Sequence, residues 1–235
     1  MIKASERFVS LATLTRWIVY ALYAAIVLSL VGAAFDLNEY RVLAMMRDSS
    51  FSDADSLQAQ AEFSDLLMGI QGVADFSLQV VLYFIIARWI YRAAWNTKHL
   101  GANMTISPGW AIGWYFIPFA CLIRPFTAMR EIWEGSHSAA GATEEAKSIA
   151  ILRWWWALFL ATSFIGNALL RAAVHNDSSV SALIATNVGT TLLDFLAVPL
   201  DIVFIAIVRR VTRAQDLASP SAVISPTAHL APSNI

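Results

Sequence analysis

Long apolar segments are the feature that most constrains how this chain folds. Four of them are long enough, at about 1.5 Å of helix rise per residue, to cross about 30 Å of hydrocarbon. They cover residues 17–35, 66–90, 154–170 and 185–208. Only 14% of the 235 residues are charged, whereas about a quarter are charged in soluble domains. The sequence therefore predicts an all-α, polytopic membrane helical bundle with four transmembrane helices.

A fifth apolar stretch, which begins SPGWAIGWYFIP at residue 107, is interrupted by prolines. Its uncharged part runs from Trp110 to Ile123 and reaches only about 20 Å as a straight helix. Ser107 and Pro108 are suited to start a helix, and later prolines break it. We therefore expect residues 107–136 to form a re-entrant or interfacial helical hairpin. Its motif residues are Ser107, Pro108, Gly109, Trp110, Trp114, Pro118, Arg124 and Pro125.

The distribution of Lys and Arg tests whether the hairpin crosses the membrane, because short cytoplasmic loops are enriched in these residues. If the hairpin does not cross, thirteen of the 16 basic residues share one side and three lie on the other. If it crosses, the split is seven against nine. The first arrangement fits the rule, so both termini are predicted to be cytoplasmic.

The segments around the spans complete the predicted topology. Residues 1–16 form a cytoplasmic N-terminus and residues 17–216 the membrane domain. Residues 36–65 form an acidic external loop in which YRVLAMM suits a short amphipathic helix. Residues 217–235 are rich in Ser, Pro and Ala and predict a disordered cytoplasmic tail. Trp and Tyr concentrate at membrane interfaces, so a cytoplasmic aromatic belt is expected. It would contain Trp89, Tyr91, Trp95, Trp110, Trp114, Trp154, Trp155 and Trp156.

Polar side chains recur inside three of the predicted spans at helical spacing. An ionisable group in hydrocarbon normally faces the bundle interior and has a partner. Asp75 and Asp194 are predicted to lie at similar depth, about 20 Å above the cytoplasmic boundary, and Arg171 is a candidate counter-ion. The intramembrane polar residues are Gln71, Asp75, Gln79, Asn167, Arg171, Asn187, Asp194 and Asp201.

Three interpretations of these residues remain open at this point. They form a buried network that fixes helix packing, a proton or cation path, or the lining of a ligand cavity. No catalytic residue is predicted, because the familiar nucleophile, metalloprotease and phosphate-binding motifs are absent from the sequence.

Cofactors, metals and nucleic acid are also not expected. A haem between the spans needs axial ligands there, but the histidines all fall in predicted loops or the tail. They are His99, His137, His175 and His229. His137 and the nearby Glu131 and Glu134 are interpreted as a solvated helix face rather than a metal site. The formal net charge of −1 gives no indication of nucleic-acid binding.

The segments WIYRAAWN, SPGWAIGWYFIP, RPFTAMREIW and IVRRVTRAQ together resemble a bacterial membrane family catalogued as domain of unknown function 4328. The likeness covers most of residues 66–216. It implies a bacterial protein with several spans, and hence an inner-membrane location, and it supplies no activity.

Two functional hypotheses follow from these observations. The first is a non-enzymatic accessory, assembly or regulatory subunit that lies among membrane lipids and acts through other membrane or cytoplasmic proteins. The alternative is a small proton- or cation-coupled transporter or channel that uses the intramembrane Asp residues.

Overall fold

A computed structural model describes residues 8–47, 54–144, 148–175 and 179–219 of the chain. These residues form α-helices and short 3-10 turns, with no strand among them. The helices are α1 (Ala12–Arg47), α2 (Ala54–His99), α3 (Pro108–Gly113), α4 (Arg124–Ala139), α5 (Ala150–His175) and α6 (Val180–Leu217). The all-α prediction is confirmed.

Four of these helices are long and apolar enough to cross a membrane, as the sequence predicts. The qualifying stretches are Ala12–Met45, Glu62–His99, Ala150–Val174 and Val180–Leu217. These stretches overlap the four predicted spans in the same order, and the bent helix pair of the hairpin would add a fifth if it crossed the membrane.

Helix covers more of the predicted external loop, residues 36–65, than the short YRVLAMM helix expected there. Helix α1 continues to Arg47, and α2 already begins at Ala54. Both extensions lack Gly and Pro and are rich in good helix formers such as Leu, Ala, Met and Gln, so the helix persists beyond the most apolar stretch. The predicted tail lies outside the described residues from 220 onward.

The predicted hairpin is present as a bent helix pair. Its two arms, Pro108–Phe116 and Ala120–Ala139, meet at an angle of 113°. Pro118 lies in the break, and Phe119 takes a positive φ of 62° there. Ser107 occupies the N-cap position of α3 with extended backbone, but its side chain makes no capping hydrogen bond.

The chain divides into two compact units. Unit 1 contains Met1–Val19, Phe84–Trp154 and Ile205–Ile235, and unit 2 contains Tyr20–Tyr83 and Trp155–Phe204. The core of unit 1 is built from almost fully buried apolar side chains. The largest are Trp89, Trp133, Leu11, Ile18, Met129, Ile132, Leu152, Ile207, Val208 and Val211.

The aromatic belt is only partly as predicted. Trp110 and Trp154 are exposed, but Trp89 is buried in unit 1. Trp155 and Trp156 are buried in unit 2, where Trp155 stacks on Phe204 at a centroid distance of 5.8 Å. Large rings that meet other helices contribute more to the core than to the interface, and sequence position alone does not separate the two uses.

Candidate functional site

Three helices of unit 2 contribute a carboxylate to one polar cluster. Asp36 lies on α1, Asp75 on α2 and Asp194 on α6. Asp194 and Gln71, the hydrogen-bond partner of Asp75, both lie beside Gly32 of α1, one helical turn before Asp36. We call these three residues the acid cluster.

Asp36 is the most buried member, with 6% of its surface exposed. The Thr191 hydroxyl donates a hydrogen bond to its Oδ2 at 3.2 Å. Asn187 Nδ2 donates to the Asp36 backbone oxygen at 3.0 Å and to Glu39 Oε2 at 2.9 Å. Helix α6 is therefore joined to α1 by side chains that hold Asp36 in place.

Asp75 is held by an amide that also joins two helices. Gln71 Nε2 donates to Asp75 Oδ2 at 3.0 Å and to the backbone oxygen of Leu28 on α1 at 2.9 Å. One carboxamide therefore uses both of its N–H groups, one to orient Asp75 and one to attach α2 to α1.

Asp194 lies directly against the backbone of α1 at Gly32. A Cβ atom added to Gly32 would lie 2.6 Å from Asp194 Oδ2 and 3.5 Å from Gln71 Nε2. Among the described residues, none donates a hydrogen bond to the Asp194 carboxylate. This carboxylate is thus close to two other acids and lacks the donors that satisfy Asp36 and Asp75.

The remaining polar residues of the predicted network are less closely joined. Asp201 makes no hydrogen bond with the part of the chain that the structure describes. Gln79 is exposed on α2, and Asn167 donates to the Ser163 oxygen of its own helix at 2.9 Å. Arg171 is exposed near the end of α5, and its role as counter-ion stays a prediction.

Sequence reasoning missed Asp36, Glu39 and Gly32. Asp36 and Glu39 follow the last apolar residue of the first predicted span and were assigned to a loop. A signal was present, because Asp36 lies one helical turn beyond Gly32, on the same face. A small residue inside a span allows a neighbouring helix to approach closely.

Within unit 1, the hairpin motif residues serve packing and capping. Glu131 on α4 accepts hydrogen bonds from the backbone N–H of Thr105 and Ile106 at 2.9 and 3.1 Å, and from the Thr105 hydroxyl. It thereby fixes the loop that precedes α3. Pro108 and Pro125 are buried, whereas Gly109, Trp110 and Pro118 are exposed.

The Trp114 ring contacts both a second aromatic ring and a cation within the hairpin. Its ring lies 4.7 Å from that of Trp110 and 5.3 Å from the guanidinium carbon of Arg124. A cation over an aromatic face at this distance is favourable. The contact joins the two arms of the hairpin across the bend.

A second polar network, which the sequence did not indicate, lies in the core of unit 1. Its centre is Gln215, which is fully buried on α6. Gln215 Oε1 accepts from Asn96 Nδ2 at 2.9 Å, and Gln215 Nε2 donates to the Ala93 oxygen at 3.0 Å. The hydroxyls of Thr97 and Ser136 lie 3.0 Å from the same Nε2. Because these groups are mutually satisfied, the network is suited to fixing helix positions.

The interpretation of His137 as part of a solvated face is wrong. His137 is buried beside Trp133, with ring centroids 4.2 Å apart, and its Nδ1 bonds to the Trp133 oxygen at 2.8 Å. Burial lowers the pKa of His137, the hydrogen bond to the Trp133 oxygen opposes part of that effect, and the charge of Arg210 adds to the lowering. In the described ranges, no three His, Cys, Asp or Glu side chains are placed to hold a metal ion.

The fold and the acid cluster define a helical membrane protein whose apolar helices carry carboxylates. The sequence pattern of one family, described as a domain of unknown function (DUF4328), matches residues 52–213. That range covers more than half of the chain, and the protein belongs to this family. Neither a curated protein nor a solved structure matches the chain.

Proposed function

We propose that this protein binds and moves protons, or a monovalent cation, across a bacterial inner membrane through Asp36, Asp75 and Asp194. The observation that carries the proposal is the position of Asp194, which lies against Gly32 of α1 beside Gln71, the partner of Asp75, and lacks a hydrogen-bond donor among the described residues. Acidic residues inside spans commonly mark ion paths and proton relays.

Electrostatics explains why such a cluster favours a cation. Three neighbouring carboxylates repel one another when all are charged, and low dielectric strengthens that repulsion. A proton or cation held among them relieves it. Asp36 and Asp75 are oriented by Thr191 and Gln71, whereas Asp194 is left to exchange the bound ion.

The test is ion flux into proteoliposomes that contain the purified protein and a trapped pH-sensitive dye. A pH gradient is imposed with potassium and valinomycin to balance charge, and a parallel set uses a sodium gradient. Wild type is expected to conduct above protein-free vesicles. Asp194→Asn is expected to reduce the flux at least tenfold, to near the protein-free rate, because the amide cannot exchange a proton.

Glu134→Gln is the matched control. Glu134 is an exposed acid on α4, 3.9 Å from Arg130, so its loss removes the same charge without touching the cluster. Its flux is expected to equal wild type, and both variants are expected to unfold at the wild-type temperature. Wild-type flux in Asp194→Asn, or no flux in the wild type with either ion, contradicts the proposal.

The proposed topology places both termini in the cytoplasm and the hairpin as a segment that enters the membrane and returns. Its support is the uneven distribution of Lys and Arg and the exposure of the hairpin bend, where Phe116 and Phe119 are 82% and 84% exposed. Exposure of a phenylalanine side chain to water is unfavourable, whereas its contact with lipid is favourable. A reporter fused after Ile132 is expected to be cytoplasmic, and a periplasmic signal would contradict this topology.

A second candidate function is the non-enzymatic accessory role, in which the protein acts through another membrane or cytoplasmic protein. The same exposed Phe116 and Phe119 favour it, because an apolar projection suits a protein groove as well as lipid. Replacing both phenylalanines by serine distinguishes binding of a partner protein from contact with lipid. Loss of a co-purifying partner with unchanged flux supports the accessory role, and loss of membrane association of the hairpin supports lipid contact.

A further inference from the structure

Helices α1 and α6 run antiparallel where they meet in unit 1. The hydroxyl oxygens of Thr15 on α1 and Thr212 on α6 are 2.6 Å apart. Asn96 of α2 donates to the Val9 oxygen at 2.9 Å and to Gln215 Oε1 at 2.9 Å. Val9 precedes Thr15, whereas Gln215 follows the contact residue of α6, so the two helices run in opposite directions.

An arginine follows each contact threonine, Arg16 on α1 and Arg213 on α6. One residue turns a helix by about 100°, and in an antiparallel pair the two turns lead to the same side. Arg16 and Arg213 therefore lie on one side of the contact, at heights that differ by about 3 Å along the helices. We call the space between these two side chains the arginine groove.

The two sides of this helix pair differ in what covers them. Helix α2 covers one side, where its Trp89 donates to the Thr15 hydroxyl at 3.0 Å. Val211, which precedes the contact residue of α6, is turned to that side and is fully buried. On the other side Arg16 and Arg213 are exposed. Neither forms an ion pair with an acid among the described residues, so the groove is an open cationic site.

We propose that the arginine groove binds the phosphate of an anionic phospholipid. A guanidinium matches phosphate oxygens with two parallel hydrogen bonds, and packed helices have axes about 8–10 Å apart, which leaves one phosphate within reach of both arginines. Asp216, in the next turn of α6, is half-buried and pairs with neither arginine in the part of the chain that the structure describes. The charge of the groove therefore complements an anion.

The position of the groove favours a lipid over a soluble anion. Helix α1 begins at Ala12 and α6 ends at Leu217, so each arginine lies about one turn from the end of a helix that is long and apolar enough to span a membrane. Headgroup phosphates lie at this level, just outside the hydrocarbon. Trp17, beside Arg16, is 60% exposed, and Trp concentrates at the same level. Basic pockets between spans suit lipid headgroups there.

The test is native mass spectrometry of the delipidated protein in detergent, titrated with phosphatidylglycerol or with zwitterionic phosphatidylcholine. Wild type is expected to bind phosphatidylglycerol at least tenfold more tightly. The double variant Arg16→Gln with Arg213→Gln is expected to lose this preference. Arg16→Lys with Arg213→Lys is expected to keep part of it, because lysine retains the charge without the paired hydrogen bonds.

The matched control is Arg88→Gln with Arg153→Gln, which removes two other exposed arginines of unit 1 and leaves the groove intact. It is expected to keep the wild-type preference, and all variants to unfold at the wild-type temperature, because the changed side chains are exposed. Equal losses in the two glutamine double variants overturn the proposal, since they indicate general attraction to a basic surface. Equal affinity of wild type for the two lipids overturns it as well.

Two further measurements use only the wild-type protein. Inorganic phosphate at the same concentration is expected not to displace phosphatidylglycerol, and displacement would contradict a lipid as the occupant. Phosphatidylglycerol with a photoreactive headgroup is expected to label residues 12–17 and 209–213 in membranes. Labelling confined to other parts of the chain would contradict the groove as the binding site.

Discussion

Replacing Gly135 by alanine is expected to lower the free energy of unfolding by about 1–3 kcal/mol, the usual cost of adding a methyl group to a filled core. The new Cβ would lie 2.5 Å from Thr97 Cγ2 and 2.8 Å from the Cβ of Ala102. Thr97 is fully buried and its hydroxyl donates to the Ala93 oxygen at 2.8 Å. It therefore cannot rotate away, and α4 must shift from α2.

Gly109→Ala is the matched control for this prediction. Gly109 belongs to the same hairpin, lies in helix α3, and has nothing within 4 Å of an added Cβ. Alanine favours a helix over glycine by about 1 kcal/mol, so this change is expected to be neutral or stabilising. Thermal unfolding in detergent, followed by size-exclusion chromatography, compares the two. Equal melting temperatures would show that α4 has more room beside α2 than described.

Replacing Gln215 by leucine is expected to lower the free energy of unfolding by about 2–3 kcal/mol. The change leaves one N–H of the buried Asn96 amide without an acceptor, whereas the other keeps the Val9 oxygen at 2.9 Å. It also removes a donor from the Ala93 oxygen, which keeps the Thr97 hydroxyl at 2.8 Å. Each buried polar group left unsatisfied costs about 1–3 kcal/mol. Leucine fills a similar volume, so the loss reports hydrogen bonding more than packing.

The control for Gln215 is the same substitution at an exposed site. Gln60 lies on α2 and is exposed, so Gln60→Leu is expected to change the melting temperature little. The two variants are compared by the same heating and chromatography assay. If Gln215→Leu were as stable as Gln60→Leu, the network around Gln215 would not be what fixes α6 beside α2.

Part of this fold can be predicted from the sequence, because bilayer thickness and helix geometry are nearly constant. Hydrocarbon thickness sets a minimum length for an apolar run, which is why all four spans were found. Helical rise then predicts a similar depth for Asp75 and Asp194, and Gln71, which is bonded to Asp75, lies with Asp194 beside Gly32. The depth of a residue in the membrane can be estimated by counting residues along its own helix.

Contacts between helices are harder to predict, because they depend on rotation about each helix axis. The third member of the acid cluster, Asp36, follows the last apolar residue of its span, and hydropathy alone assigns it to a loop. Gln215 likewise lies beyond the apolar part of α6, near Arg213. Its burial follows from the hairpin that packs over it, which helical periodicity on α6 does not reveal.

The hairpin segment also has a physical explanation that does not require a ligand. Glu131 fixes the loop before α3, Gly135 allows α4 to approach α2, and Trp114 with Arg124 joins the two arms. These contacts account for much of the SPGW and REIW segments that resemble the family. The acid cluster, which lies in unit 2, is therefore the better place to look for activity.

We propose that carboxylates from separate spans form one site, and the strongest test is disulfide formation between Gly32→Cys and Asp194→Cys. In a Cys121→Ala background with a protease site inserted between α4 and α5, a cross-link keeps the cleaved halves together on a gel. Efficient cross-linking is expected in native membranes, because a Cβ atom on Gly32 would lie 3.6 Å from Asp194 Cγ. The pair Gly69→Cys and Asp194→Cys is the control, since nothing lies within 4 Å of a Cβ on Gly69. Equal cross-linking of both pairs, or none at Gly32, would contradict the site.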